Sequence, residues 1–154
     1  MQCRVAPSIG DLEGTHKFAW GTSDYTSVFE PCAFFGMYGL PDFYTLNRHQ
    51  GKRYILWAGT DITHLLNGYW LDKKGNYRLD PQVIAPWIND NCDNWVENVV
   101  EYLALKSVGI ESKIYPSFMG KYPKVSYKWS ARPKVYASVS GNEFRKYGWL
   151  KIKE

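Results

Sequence analysis

The residues best suited to chemistry are Gly59-Thr60-Asp61, directly after an apolar run and at an expected helix start. Glycine lets a ligand approach the backbone, and a helix N-terminus offers free N–H groups to an anion or a hydroxyl. The Asp61 carboxylate can act as a general base toward a hydroxyl if it faces a cleft. Thr60 or Asp61 also suits a helix cap, and the two roles can coexist on different atoms. Gly141-Asn142 stands in a similar place, between an alternating run and a helical one. It can present backbone donors to a diphosphate. It also fits an ordinary strand-to-helix turn, with Asn142 as cap and Glu143 as a first-turn charge. Of the three histidines, His16, His49 and His64, none has metal-ligand spacing with another histidine or a cysteine, so no metal is expected. His16 lies in the loop-like Gly14-Thr15-His16-Lys17 and can reach a cleft. Arg48-His49 reads as the cationic end of a helix.

A further segment, 121–136, interleaves Lys121, Lys124, Lys128, Arg132 and Lys134 with Tyr122, Tyr127, Trp129 and Tyr136. Such a pattern can hold single-stranded nucleic acid or anionic headgroups, and it is also the pattern of a solvated connection whose rings pack on the protein. Walker, nucleophile-elbow, HExxH and EF-hand signatures are absent, and no GxGxxG follows any strand-like run, which speaks against a dinucleotide oxidoreductase.

The elements that must position these residues alternate in type. Cys32–Tyr38 and Lys52–Ala58 are near-continuous apolar runs, joined by a helical pattern from Pro41 to about Gln50 that Gly51 ends. Buried parallel strands read this way. A helix is expected from Thr60 to about Tyr69, then an exposed excursion over 71–82. Residues 83–91 are ambiguous, with a short strand at 84–88 that Pro86 opposes. The clearest helical pattern is 93–108, with Val96, Val99, Val100, Leu103 and Val108 near one face, Asn91 or Asp93 as cap and Gly109 as left-handed stop. Residues 110–115 and 135–139 read as strands and 142–153 as a last helix. Residues 1–30 read as loop with one short strand. The alternation predicts an α/β fold: a Rossmann-like open, mainly parallel sheet with helices on both faces, binding ligands at the carboxyl ends of its strands.

Size and composition agree with a globular protein. The chain has 154 residues, a net charge of +4 and 17% aromatic residues, whose rings serve cores and sugar stacking alike. Cys3, Cys32 and Cys92 are widely spaced and odd in number, as expected of reduced thiols in a cytoplasmic setting. The opening MQCRVAPSIGDLEG has no apolar leader core, and no run approaches the ~18 apolar residues of a membrane span.

Within this frame the stretch CAFFGMYGLPDFYTLNRHQGKRYILWAGTDI resembles the N-terminal domain of certain bacterial-type glycosyltransferases, in which a strand, a helix and a second strand lead to a Trp-x-Gly-Thr/Ser-Asp turn, here Trp57-Ala58-Gly59-Thr60-Asp61. NWVENVVEYLALKSVGIESKIYPS is similar to that family's helix, Gly-Ile, strand and proline. PKVYASVSGNEFRKYGW resembles the opening strand and helix of the C-terminal, donor-binding domain. The resemblance covers roughly 31–150 in patches. It implies a two-domain GT-B enzyme with a nucleotide sugar as co-substrate, a carbohydrate or lipid-linked acceptor, and no bound cofactor or metal. Residues 1–120 would form the N-terminal domain, 121–134 a basic aromatic linker, and 135–154 the start of a C-terminal domain that needs about 150 further residues. Asp61 and His16 would be catalytic, and Gly59, Thr60, Gly141 and Asn142 substrate-binding. The location implied is cytoplasmic, with peripheral contact to the inner membrane surface. The alternative is a non-catalytic module that binds nucleic acid or anionic glycans through 121–136. For that alternative, affinity for polyanions should fall steeply with added salt in a filter-binding series; a flat response excludes it.

Overall fold

A computed structural model of the chain describes residues 1–12, 20–67 and 80–115. The chain divides into two compact units, Met1–Lys121 and Tyr122–Glu154, and all that follows concerns the first. Its elements are β1 (Gln2–Val5), a 3₁₀ segment (Pro7–Leu12), β2 (Ser23–Asp24), β3 (Cys32–Phe35), α1 (Leu40–Arg48), β4 (Arg53–Leu56), α2 (Thr60–Leu66), α3 (Pro81–Asn91), β5 (Cys92–Val96), α4 (Val99–Ser107) and β6 (Lys113–Ile114). The strands form one sheet in the order β2-β1-β3-β4-β5-β6, and every neighbouring pair is parallel. The expected open α/β sheet is thus present. Its strand order reverses once, between β1 and β3, where such sheets open a crevice.

Alternation along the strands divides the apolar residues between two faces. Cys32, Phe34, Ile55 and Val96 enter the main core, where they meet Leu40 and Leu46 of α1, Ile62 and Leu65 of α2, Ile84 and Ile88 of α3, and Leu105 of α4. Trp57, fully buried just past β4, belongs to the same cluster, and its indole N–H is 3.4 Å from the Asn94 side-chain oxygen. Ala33 and Phe35 point the other way and cluster with Cys3, with Tyr54, Leu56, Trp95 and Trp20 packed around them. On that side an apolar cavity of about 370 Å³ is lined by Met1, Trp20, Ala33, Tyr54, Leu56, Trp95 and Tyr115. Among the described residues no helix is long and apolar enough to cross a membrane.

Several elements differ from the sequence reading. The described residues of 1–30 hold two strands, not one, and β1 lies inside the sheet. Its polar members conceal it. Gln2 is fully buried, its side-chain oxygen accepting from the Thr26 and Ser27 amides at 2.6 and 2.8 Å while its amide donates to the Ser27 carbonyl at 2.9 Å. Arg4 reaches Asp42 of α1 at 2.8 Å. Residues 83–91 are helix, not strand. Asp80 caps α3 by accepting from the Gln82 amide at 2.9 Å, Pro81 fills the first turn, and Ile84, Ala85 and Ile88 face the core at helical spacing. The helix expected from Asp93 starts only at Val99, because Cys92–Val96 pairs with β4 as a strand. Its cap is Asn98, which accepts from the Glu101 amide at 3.0 Å, and Glu101 in turn accepts from the Glu97 amide at 3.0 Å. Val99, Val100 and Leu103, assigned to the buried face, are exposed, whereas Leu105 is buried. Gly109 does stop the helix in a left-handed conformation. The strand at 135–139 and the helix at 142–153 lie outside the described residues.

Where α1 turns into β4, Gly51 is packed against the preceding chain. A Cβ there would lie 2.5 and 2.6 Å from the carbonyl oxygens of Phe29 and Glu30, which are backbone atoms that cannot step aside. Gly51→Ala should therefore destabilise the fold by about 1–3 kcal/mol, the range for overpacked sites, read from the midpoint of urea unfolding. An unchanged midpoint would contradict this packing.

Candidate functional site

The carboxyl ends of β3, β4 and β5 form a rim, and the turn after β4 is its centre. Gly59 has φ 84° and ψ −61°, and the Thr60 amide donates to the Ala58 carbonyl at 3.1 Å. This is a three-residue γ-turn of the positive-φ kind, rare and open mainly to glycine. A side chain at Gly59 would also lie 2.9 Å from a Glu101 carboxylate oxygen. The chain reverses within a single residue and enters α2 at once.

Asp61 has no exposed surface. Its Oδ1 accepts from the amides of Ala58 (3.0 Å) and Ile62 (2.8 Å), and its Oδ2 from that of Met37 (2.8 Å) in the loop after β3. The carboxylate is therefore a clamp between two loops, not an oxygen turned to a ligand. A base role would require it to leave three backbone donors. Burial pushes its pKa up from 3.8 to about 6; the three amides oppose that rise and Glu101 adds to it. The folded-state value lies above the unfolded one. The stability this group contributes is therefore full below about pH 4 and is lost as pH rises through about 6.

Thr60 is exposed and Gly59 half-buried beside it. Tyr38, after β3, is brought to the same place. Burial raises the pKa of its hydroxyl, a hydrogen bond with the Thr60 side chain lowers it, and Asp61 and Asp42 raise it further. Its ring meets that of His64 edge-on at 5.5 Å. Asp42, buried at the start of α1, accepts from the Tyr38 amide at 3.0 Å. The rim thus carries a hydroxyl pair, Tyr38 and Thr60, an imidazole at His64 and a carboxylate at Glu101.

Of the residues singled out from sequence, Gly59, Thr60 and Asp61 stand together at this rim. His16, Gly141, Asn142 and the segment 121–136 lie outside the described residues. His49 does close α1, but as a buried ring between Phe34 and Tyr25, not as an exposed cation. Its Nδ1 is 3.3 Å from the Tyr25 hydroxyl, and burial, then Arg53, lower its pKa. Tyr38, His64 and Glu101 were missed. His64 follows Thr60 by one helical turn, a spacing that puts both on one face. Glu101 would have been found through Asn98-x-x-Glu101, the sequence mark of a helix start. Among the described residues no group of three or more His, Cys, Asp or Glu side chains could hold a metal ion.

Two substitutions test the clamp. Asp61→Ala strips the acceptor from three amides and should cost at least ~3 kcal/mol at pH 7, since each buried unpaired donor costs about 1–3 kcal/mol. Asp61→Asn should abolish the part of the stability profile that declines between pH 4 and 7. Coincident urea midpoints for wild type and Asp61→Asn across that range would refute the assigned charge state.

Comparison of the chain with known protein families, curated proteins and solved structures finds no match, so the rim has to be read from its own geometry.

Proposed function

We propose that this chain provides the acceptor-side domain of a GT-B-like glycosyltransferase, which moves a sugar from a nucleotide-sugar donor to a carbohydrate or lipid-linked acceptor. The observation that carries the reading is the turn 57–61. The likeness to that family rests on Trp57-Ala58-Gly59-Thr60-Asp61, and these residues emerge from β4 at the carboxyl edge of an all-parallel sheet, the side on which open α/β sheets take ligands. The exposed Thr60 and the adjoining Tyr38 give the rim hydroxyl groups suited to an acceptor's own hydroxyls.

In the reaction, the bond between the donor sugar and its nucleotide breaks, the nucleotide leaves with the electron pair, and an acceptor oxygen bonds to the sugar carbon. The acceptor proton passes to a base. Asp61 here positions the turn, and the base is a histidine, either His64 on α2 or His16. Gly141-Asn142 would contribute to the diphosphate site of a donor domain that begins near 135. The setting implied is cytoplasmic, with peripheral contact to a membrane when the acceptor is lipid-linked.

The test is a titration of the 154-residue chain with saccharides and nucleotide sugars, followed by amide shifts. A saccharide acceptor should move the resonances of Tyr38, Gly59 and Thr60. Thr60→Val should weaken it by about 3- to 10-fold, the value of one hydrogen bond. Shifts confined to other surfaces, or none with any sugar, would reject the assignment.

A further inference from the structure

We propose that Asp61 is a proton-operated latch: when its carboxyl group takes up a proton it releases the Met37 amide, and the loop after β3 comes free of the turn after β4. The division of labour between its two oxygens carries the inference. Oδ1 serves Ala58 and Ile62, both within the turn that Asp61 itself belongs to. Oδ2 serves Met37 alone, and that 2.8 Å bond is the one that crosses from one strand–helix connection to the next. A proton on Oδ1 would disturb two hydrogen bonds and a proton on Oδ2 only one, so Oδ2 is the site that protonates. The Met37 N–H then faces a hydroxyl oxygen, a much weaker acceptor than the carboxylate oxygen it replaces, and the 2.8 Å bond loses most of its charge-assisted strength.

The surroundings make the proton available at mild acidity. Burial raises the affinity of the carboxylate for a proton, to a pKa of about 6, with the three amides acting against this. Facing it are the Glu101 carboxylate from α4 and the Tyr38 hydroxyl from the β3–α1 loop. Asp42 lies beyond Tyr38 and is held by Arg4 of β1, whereas Glu101 is tied to the Glu97 amide. On α2 itself, His64 lies against the Tyr38 ring. Removing the charge relieves repulsion with Glu101 and leaves the Arg4–Asp42 pair intact, so the change stays at the rim. The latch belongs to the fold and holds whichever ligand the rim takes; a failed sugar titration leaves it standing.

The experiment follows the amide and side-chain carboxyl resonances of the whole 154-residue chain from pH 4.5 to 8. The Met37 amide and the Asp61 carboxyl carbon should titrate with one midpoint near 6, and Met37 should lose at least tenfold of its hydrogen-exchange protection on the acid side. In Asp61→Asn the Met37 amide should be flat, which ties the event to the Asp61 carboxyl group. A flat Met37 amide in the wild type, two different midpoints, or the same titration persisting in Asp61→Asn would each overturn the latch. The two wild-type readouts decide the matter even if the variant does not fold.

Discussion

A carboxylate without access to water sits where two strand–helix connections meet, and the order of this edge of the sheet follows from how it is satisfied. An ionised group in apolar surroundings is tolerated only when its oxygens are fully engaged. At Asp61 the partners are backbone amides, which the fold has to bring into place. The γ-turn at Gly59 does this on one side by reversing the chain so abruptly that Ala58 and Ile62 point at the same oxygen. On the other side the loop after β3 turns so that consecutive amides go to two acids, Met37 to Asp61 and Tyr38 to Asp42. In many open α/β proteins such amides are left for the phosphate of a ligand. Here internal carboxylates occupy them, so the side chains above the loop, Tyr38, Thr60 and His64, are what the edge has to offer a ligand.

A second set of polar residues supports this arrangement from the helix-covered face of the sheet. Gln2 holds the segment 26–27 against β1, and Arg4 holds Asp42 at the start of α1. Arg53 of β4 donates to the Leu46 and His49 carbonyls at the end of α1 and lies over the Trp87 ring at 5.5 Å. Each is a long polar side chain on an otherwise apolar surface, and each fixes a neighbouring segment through backbone groups or an opposite charge. A branched aliphatic residue would fill the same space without fixing direction.

The apolar strands β3 and β4 were legible because burial on both faces demands continuous hydrophobic residues, and α1 because Pro41 and Asp42 mark its start. The turn at 59–61 was legible as a place, though not as a clamp, since nothing local to the sequence tells whether Asp61 points outward or back to Met37. β1 was hidden for the reason given above: Gln2 and Arg4 occupy core-facing positions and look like surface. β5 was hidden by Val96, Val99, Val100 and Leu103, whose helical spacing continues across a strand–helix junction by coincidence. Only the cap at Asn98 separates the two, and reading it would also have placed Glu101 at the rim.

One consequence of the strand order concerns how the chain reaches this state. Every rung of the sheet joins residues separated by a full crossover connection, Gln2 with Cys32, Cys32 with Arg53, and Arg53 with Cys92. Closing such connections costs entropy before any contact repays it, and sheets of this kind assemble slowly. β1 precedes its inner neighbour in the chain and cannot pair there until Cys32–Phe35 has been made. Its buried glutamine and half-buried arginine keep that waiting segment hydrophilic. The same two side chains that disguise the strand in the sequence make it a poor seed for self-association while the protein is being synthesised.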